Sequence, residues 1–253
     1  MRFFSLGLLI SLLMLPLGQV AGESPHALTV GDTIDNRTYI TDLNGDPHSL
    51  NSLLGKDHAK INLIYFVGGG DMGSEKLGRL WCPDSAQDSY IIRSLYRKYA
   101  GNGLSFIIIA VTPGYHPQGT FKVSARALMN ESRDSVAYKS AEQAFVASTR
   151  AAYEAGTFPV EPYLDINNRF MLNPDPSLAP GENYGPGYSW QGAFRDPAET
   201  QRYGVPSLWL LNNQGQVIAP PLSGNRYFHD GDFSINYTLT DVGALIDAKL
   251  SQQ

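Results

Sequence analysis

The chain has 253 residues, which is long enough for one large domain or two small ones. Hydrophobic residues make up 43% of the sequence and charged residues 17%, a composition that is typical of a packed globular protein and excludes a disordered one. The net charge of -5 argues against a general nucleic-acid or anionic-membrane binder. Cys82 is the only cysteine, so an intrachain disulfide and a zinc site built from several cysteines are both excluded.

Residues 1–22 have the pattern of a secretory signal peptide. A basic residue precedes an apolar run from Phe3 to Leu17, and small residues at the end of the segment fit a cleavage site. The alternative is an uncleaved anchor, but the run is short for a stable transmembrane helix. We therefore expect a mature domain of residues 23–253 that is secreted or periplasmic and has no stable membrane span.

The first predicted elements are a hairpin and a buried strand. Thr38 to Leu43 alternates weakly and leads into Asn44-Gly45, a common hairpin turn. Ile61 to Val67 is a nearly continuous apolar run, which favours a central strand buried on both faces. The glycine-rich residues 68–80 match neither a P-loop nor a dinucleotide-binding pattern, and we interpret them as a flexible loop.

A helix is predicted to begin directly after Cys82, because Pro83 suits a first helical turn. Its apolar positions recur every four residues and predict one packed face. These positions are Ile91, Leu95 and Tyr99. A second buried strand is predicted from Leu104 to Val111. Two buried strands joined by a helix make a parallel βαβ unit with a right-handed crossover.

Further elements are predicted with less regular patterns. A helix is expected from about Ser140 to Ala155, and a short strand or extended stretch from Phe158 to Ile166. Residues 171–200 are rich in Pro, Gly and aromatic residues and predict a long loop insertion, which in a compact domain is often functional. The aromatic residues of this loop either form a peptide-binding surface or pack the loop onto the domain, and both interpretations stay open. They are Tyr184, Tyr188 and Trp190.

The last part of the chain predicts a hairpin and a helix. Residues 207–213 (SLWLLNN) predict a strand, and the turn that follows returns the chain to Val217-Ile218 as an antiparallel partner. A final helix is expected from about Asp241 to Leu250.

This order of elements resembles the thioredoxin-like superfamily, in particular its redoxin branch, which includes the AhpC/TSA peroxiredoxins and TlpA-like disulfide reductases. Residues 203–218 (YGVPSLWLLNNQGQVI) are similar to the family's cis-proline strand and hairpin, and residues 30–56 resemble the opening hairpin of the branch. Residues 81–85 (WCPDS) resemble a variant of its C-x-x-C site. The resemblance implies a single α/β domain of the thioredoxin-like fold, with a central mixed sheet flanked by helices, an N-terminal hairpin and loop insertions.

The resemblance also implies which residues form the site. In the family, the first Cys attacks a disulfide and the second resolves the mixed disulfide; here Cys82 and Ser85 stand at these positions, so the resolving cysteine is missing. The family's proline is cis and lies against the catalytic Cys. The candidate catalytic residues are therefore Cys82 and Ser85, and the candidate substrate-binding residues are Trp81, Pro83, Val205 and Pro206.

The reactivity of Cys82 has two interpretations. A cysteine at a helix N-terminus faces free backbone N–H groups and the positive end of the helix dipole, which predicts a thiol pKa below the ordinary value and a good nucleophile. Alternatively, the residue is an inert, buried small hydrophobe.

Two functions follow from these interpretations. The first is an exported thiol-disulfide oxidoreductase that acts through one cysteine on a protein or small-thiol disulfide partner. The second is a non-catalytic module that binds a peptide or protein. A one-Cys peroxidase is disfavoured, because residues 75–82 lack the Pro and Thr that precede the cysteine in peroxiredoxins. We expect no cofactor and no metal, since the five histidines have no ligand-like spacing.

Overall fold

The computed structural model describes residues 30–33, 39–70, 80–112, 131–132, 134–166, 205–223, 228–229, 232–233 and 237–252. Within these residues, seven strands form one mixed sheet, a separate pair of strands forms a small hairpin, and three α-helices pack against the sheet. The strands of the main sheet are β1 (Tyr39–Thr41), β2 (Pro47–Ser49), β3 (Ile61–Gly68), β4 (Leu104–Val111), β5 (Tyr163–Asp165), β6 (Ser207–Asn212) and β7 (Leu222–Ser223). The small hairpin is β8 (Phe228–His229) with β9 (Asp232–Phe233), and the helices are α1 (Pro83–Tyr99), α2 (Val136–Glu154) and α3 (Leu239–Leu250).

The topology is that of the thioredoxin-like fold, which confirms the predicted fold class. The strand order is β2-β1-β5-β4-β3-β6-β7. Strands β3 and β4 pair in parallel and are joined by α1, as expected for a βαβ unit, while β6 runs antiparallel to β3 on its other side. The N-terminal hairpin of β1 and β2 joins the sheet through an antiparallel contact between Thr41 and Leu164.

Strand β3 is buried along its whole length, as its continuous apolar sequence predicts. Its side chains alternate between two core clusters, because successive residues of a strand point to opposite faces. Leu63 and Tyr65 lie in the larger cluster, to which all three helices contribute. Ile64 and Phe66 lie in the smaller cluster, which the N-terminal segment covers with residues such as Leu50.

The helix starts follow local capping rules. Cys82 is the N-cap of α1 and Pro83 is its first residue. Helix α2 begins four residues earlier than predicted, because the side chain of Ser135 accepts a hydrogen bond from the backbone N–H of Tyr138. Helix α3 begins two residues earlier than predicted, behind a capping box whose N-cap is Thr238.

The turn after β6 returns the chain as an antiparallel partner, as predicted: Leu211 and Val217 form an antiparallel bridge, and the backbone N–H of Ile218 donates to the carbonyl of Leu210 at 3.0 Å. The start of β6 pairs further along with β7 at Leu222–Ser223. One expectation needs correction. The first glycines of the 68–80 segment are a packed part of the fold and not a flexible loop, for reasons given below. The predicted signal peptide and the 171–200 loop lie outside the described residues. Among the helices that are described, none is long and apolar enough to span a membrane.

Candidate active site around Cys82

Cys82 lies at the edge of the sheet where the two central strands end. The register of β3 and β4 brings their last residues, Gly68 and Val111, side by side. Trp81 attaches the start of α1 to this edge: its indole N–H donates to the carbonyl of Val111 at 2.8 Å, and its backbone N–H donates to the carbonyl of Gly69 at 3.0 Å. The half-buried Trp81 ring also packs against both core clusters. These contacts determine where the neighbouring thiol is held.

Three consecutive glycines, Gly68 at the end of β3 and the two residues after it, allow this close approach. A methyl group on Gly68 would overlap the Cβ of Cys82, one on Gly69 would overlap an aromatic ring of α2, and one on Gly70 would overlap the backbone of α2. The backbone N–H of Gly70 donates to the Oγ1 of Thr149 at 2.9 Å. The segment is therefore a close-packed spacer between α1 and α2, which explains why three residues without side chains stand there.

The thiol of Cys82 is sheltered. Only 6% of the residue is exposed, and the Sγ donates a weak hydrogen bond to the carbonyl oxygen of Val205 at 3.5 Å. The Val205–Pro206 peptide bond is cis, with Val205 half-buried and Pro206 buried. The thiol thus faces a backbone acceptor on the segment that leads into β6.

The electrostatic environment contradicts the predicted direction of the pKa of Cys82. Burial raises the pKa of the thiol, and the hydroxyl of Ser85 and the backbone amides of Ser85 and Asp84 act in the lowering direction. The carboxylate of Asp84 adds to the rise. The net pKa lies above the ordinary thiol value, so the prediction of a lowered pKa was wrong: the helix N-terminus does act as expected, but the loss of solvent outweighs it.

Ser85 is fully buried and has a contact of its own. Its Oγ accepts a hydrogen bond from the backbone N–H of Gly68 at 2.9 Å. This bond joins the first turn of α1 to the last residue of β3 and satisfies a buried backbone donor. Position 85 therefore needs a good acceptor, which serine supplies and a thiol supplies poorly.

A buried polar group below the site was not predicted from the sequence. Asp88 is 4% exposed and accepts a hydrogen bond from the hydroxyl of Tyr237 at 2.7 Å. Burial raises the pKa of both Tyr237 and the neighbouring Tyr65 well above the usual tyrosine value, so both phenol hydroxyls stay protonated. The sequence does contain an indication that Asp88 is buried. It stands three and four residues before Ile91 and Ile92 and therefore shares their buried helix face.

The structure brings most of the predicted site residues together. Trp81, Cys82 and Ser85 form the first turn of α1 and its entry, and the cis Val205–Pro206 peptide faces Cys82. Pro83 lies exposed beside the thiol at the first position of the helix. The loop aromatics Tyr184, Tyr188 and Trp190 lie outside the described residues. In the part of the chain that is described, no group of three or more His, Cys, Asp or Glu side chains could hold a metal.

Comparisons with known proteins give weak matches. No protein-family model and no curated protein matches the sequence. Among solved structures, a thiol:disulfide interchange protein of the thioredoxin family from Chlorobium tepidum TLS is 13% identical, with 88% of this chain and 99% of that chain covered and a TM-score of 0.44. The thioredoxin domain of a thiol-disulfide oxidoreductase from Bacteroides vulgatus is 14% identical, and the match covers 88% of this chain and 99% of that chain with a TM-score of 0.42. An uncharacterised conserved protein from Geobacillus kaustophilus is 14% identical, and the match covers 89% of this chain and 84% of that chain with a TM-score of 0.44.

Proposed function

We propose that this protein is an exported thiol-disulfide oxidoreductase of the redoxin branch that acts through the single nucleophile Cys82. The observation that carries the proposal is the placement of the thiol at the N-cap of α1, with its Sγ 3.5 Å from the carbonyl oxygen of Val205. A sulfur at a helix N-terminus can be deprotonated and attack, and the backbone amides of Asp84 and Ser85 favour its charged form.

The proposed reaction is one exchange step followed by a second. The Cys82 thiolate attacks one sulfur of a partner disulfide, R–S–S–R′; a Cys82–S–S–R bond forms and R′–S⁻ leaves. An external thiolate then attacks the R sulfur, which releases the Cys82 thiolate and leaves R joined to the external thiol. No resolving cysteine exists in the chain, so the second step depends on a protein thiol or a small thiol such as glutathione.

The proposed location is the outside of the cell or the periplasm, with residues 23–253 as one mature domain. The support is the signal-like sequence of residues 1–22. The measurement is the intact mass of the exported protein, which we expect to begin at or near Glu23. A full-length chain retained in the membrane fraction would contradict cleavage.

A second candidate function is a non-catalytic module that binds a peptide or protein. The observation that favours it is the shelter of Cys82, which is 6% exposed and has a raised pKa because of burial. A thiol that no partner disulfide reaches would leave only the surface around Trp81, Pro83 and Val205 for binding.

Mass spectrometry of native protein treated with oxidised glutathione separates the two candidates. Thiol-disulfide exchange predicts one glutathione adduct on Cys82, released by a reducing thiol, and none on the Cys82→Ser variant. The same treatment in urea shows that the chemistry works on the unfolded chain. An adduct that forms in urea but never on the native protein would exclude the oxidoreductase and leave the binding module.

A further inference from the structure

Helix α2 reaches the Cys82 site through the side chain of Thr149. This side chain is fully buried, and its Oγ1 accepts a hydrogen bond from the backbone N–H of Gly70 at 2.9 Å. The backbone of Ser148 and Thr149 lies so close to Gly70 that a Cβ there would overlap it. The next residue, Arg150, donates to the carbonyl of Leu43 at 2.7 Å and so anchors the same turn of α2 to the N-terminal hairpin. The hydroxyl of Thr149 therefore supplies a fixed acceptor for a buried N–H group that would be costly to leave unpaired.

Backbone pairing connects Gly70 with the residues just before the thiol. Gly70 forms an antiparallel bridge with Leu80, and the backbone N–H of Trp81 donates to the carbonyl of Gly69 at 3.0 Å. Leu80 is fully buried in the larger core cluster. Cys82 follows directly in the chain, so the segment that enters the site is held where the glycines are held.

This connection determines how much water reaches the thiol. Cys82 is 6% exposed, and burial raises its pKa. Without the Thr149 acceptor, the N–H of Gly70 has to find water, which draws the glycine segment away from α2. Trp81 is bonded to that segment and moves with it, and the side of Cys82 that the glycines cover is then opened to solvent.

We propose that Thr149 is a positioning residue for the nucleophile: its hydroxyl holds residues 68–70 against α2, and these residues hold Cys82 in its sheltered position. The inference rests on the proposed function and deepens it, because it assigns control over the single nucleophile to a helix that contributes no reacting group. The hydroxyl of Thr149 acts through the backbone and does not touch the sulfur or a substrate.

The test compares the wild type with Thr149→Val, Thr149→Ser and Ser148→Ala. Valine keeps the branched shape of threonine and removes the acceptor, whereas serine keeps the acceptor. Ser148 is the matched control, because it adjoins Thr149 and its hydroxyl donates within α2 to the carbonyl of Phe145 at 3.0 Å. Since Cys82 is the only cysteine, ¹³C labelling of cysteine Cβ gives one NMR resonance, whose position against pH reports ionisation of the native thiol.

The measurements are independent of the proposed reaction. Neither the titration nor alkylation by iodoacetamide needs a disulfide partner. The proposal therefore fails or holds separately from the glutathione adduct that tests the oxidoreductase. Two further groups interact electrostatically with Cys82, namely Asp84 on α1 and Tyr65 on β3, and both are the same in every variant.

We expect Thr149→Val to lower the pKa of Cys82 by about one and to raise the rate of iodoacetamide labelling at pH 7 about tenfold, because water reaches the thiol. Thr149→Ser and Ser148→Ala should keep the wild-type values. A merely structural role would reduce the stability of Thr149→Val and leave the pKa of the native thiol unchanged, and that result would overturn the proposal. An equal fall of the pKa in Thr149→Ser or Ser148→Ala would overturn it as well.

Hydrogen exchange of the wild type decides the matter if Thr149→Val does not fold. The backbone amides of Gly70 and Trp81 should both be protected, and they should exchange with the same free energy of opening, because one pairing holds both. Fast exchange at Gly70 while the amides of β3 stay protected would contradict the anchoring by Thr149.

Discussion

At the residue scale, two opposing effects act on the thiol of Cys82. The helix N-terminus and the Ser85 hydroxyl favour the thiolate, and burial favours the neutral thiol. Burial prevails because Gly68 brings the β3 backbone against the Cβ of Cys82, and Val205 closes another side. The sequence shows the first effect, since it depends on neighbouring residues. The second depends on residues far away in the chain, and for that reason the direction of the pKa could not be predicted.

Ser85→Cys tests whether the site can act as a dithiol. The wild type should show no catalytic turnover in an insulin-reduction assay with dithiothreitol, because nothing in the chain releases a mixed disulfide. The variant should form a bond between the sulfurs at positions 82 and 85, since the first and fourth residues of a helix start lie within the Cα separation of about 4.4–6.8 Å that disulfides accept. It should then gain turnover.

The same variant carries a cost in the reduced state. A thiol is a poor acceptor for the buried N–H of Gly68, which Ser85 now satisfies at 2.9 Å. We expect the free energy of unfolding of the reduced variant to fall by about 1–2 kcal/mol in urea denaturation. A bond that forms without any turnover would favour the binding module, and the absence of a bond would show that residues 81–85 are not a thioredoxin-type helix start.

The Tyr237–Asp88 hydrogen bond gives a second prediction at this scale. Tyr237→Phe removes the donor from a buried carboxylate, so the free energy of unfolding should fall by about 1–3 kcal/mol. Tyr90→Phe is the control, because Tyr90 lies on the same helix as Asp88 and is 52% exposed. Equal stabilities of the two variants in urea would mean that the bond contributes nothing.

At the scale of elements, the site depends on how closely β3, α1 and α2 approach one another. Glycines at positions 68–70 make this approach possible, and the predicted flexible loop was wrong there because the partner helix α2 lies about 80 residues further along the chain. Periodicity within a window reports only on local structure. The strands β3 and β4 were predictable because their apolar runs are continuous, whereas the earlier start of α2 depends on a cap at Ser135.

Two glycine substitutions should have opposite effects on stability. Gly70→Ala places a methyl group against the backbone of α2, which can hardly move, so we expect a loss of about 2–3 kcal/mol. Gly243→Ala lies inside α3, and its new Cβ meets the hydroxyl of Tyr99 at an ordinary 3.5 Å. It should gain about 1 kcal/mol, because alanine is the better helix former. Thermal or urea unfolding measures both, and a stable Gly70→Ala would refute the close packing.

At the scale of the whole molecule, the sequence predicts the order of elements and the position of Cys82 at the end of the sheet, because both are properties of the chain itself. What surrounds the thiol is assembled from segments more than a hundred residues apart, as the contact between Cys82 and Val205 shows. Residues 171–200, which the sequence predicts to be a long loop, come shortly before Val205 in the chain, and we predict that they border the site. Crosslinks placing Tyr184, Tyr188 and Trp190 on the opposite side of the sheet would contradict this.

The most direct measurement of the central claim is the rate of iodoacetamide labelling of the native protein as a function of pH. A thiol that is buried but still able to react predicts slow labelling of Cys82 at pH 7, with a rate that rises with pH and titrates above the ordinary thiol value of about 8.5, because burial raises the pKa. Folding is checked at each pH by circular dichroism. A midpoint below the ordinary value would contradict the shelter of the thiol. No labelling of native protein at any pH, with fast labelling in urea, would contradict a reactive cysteine.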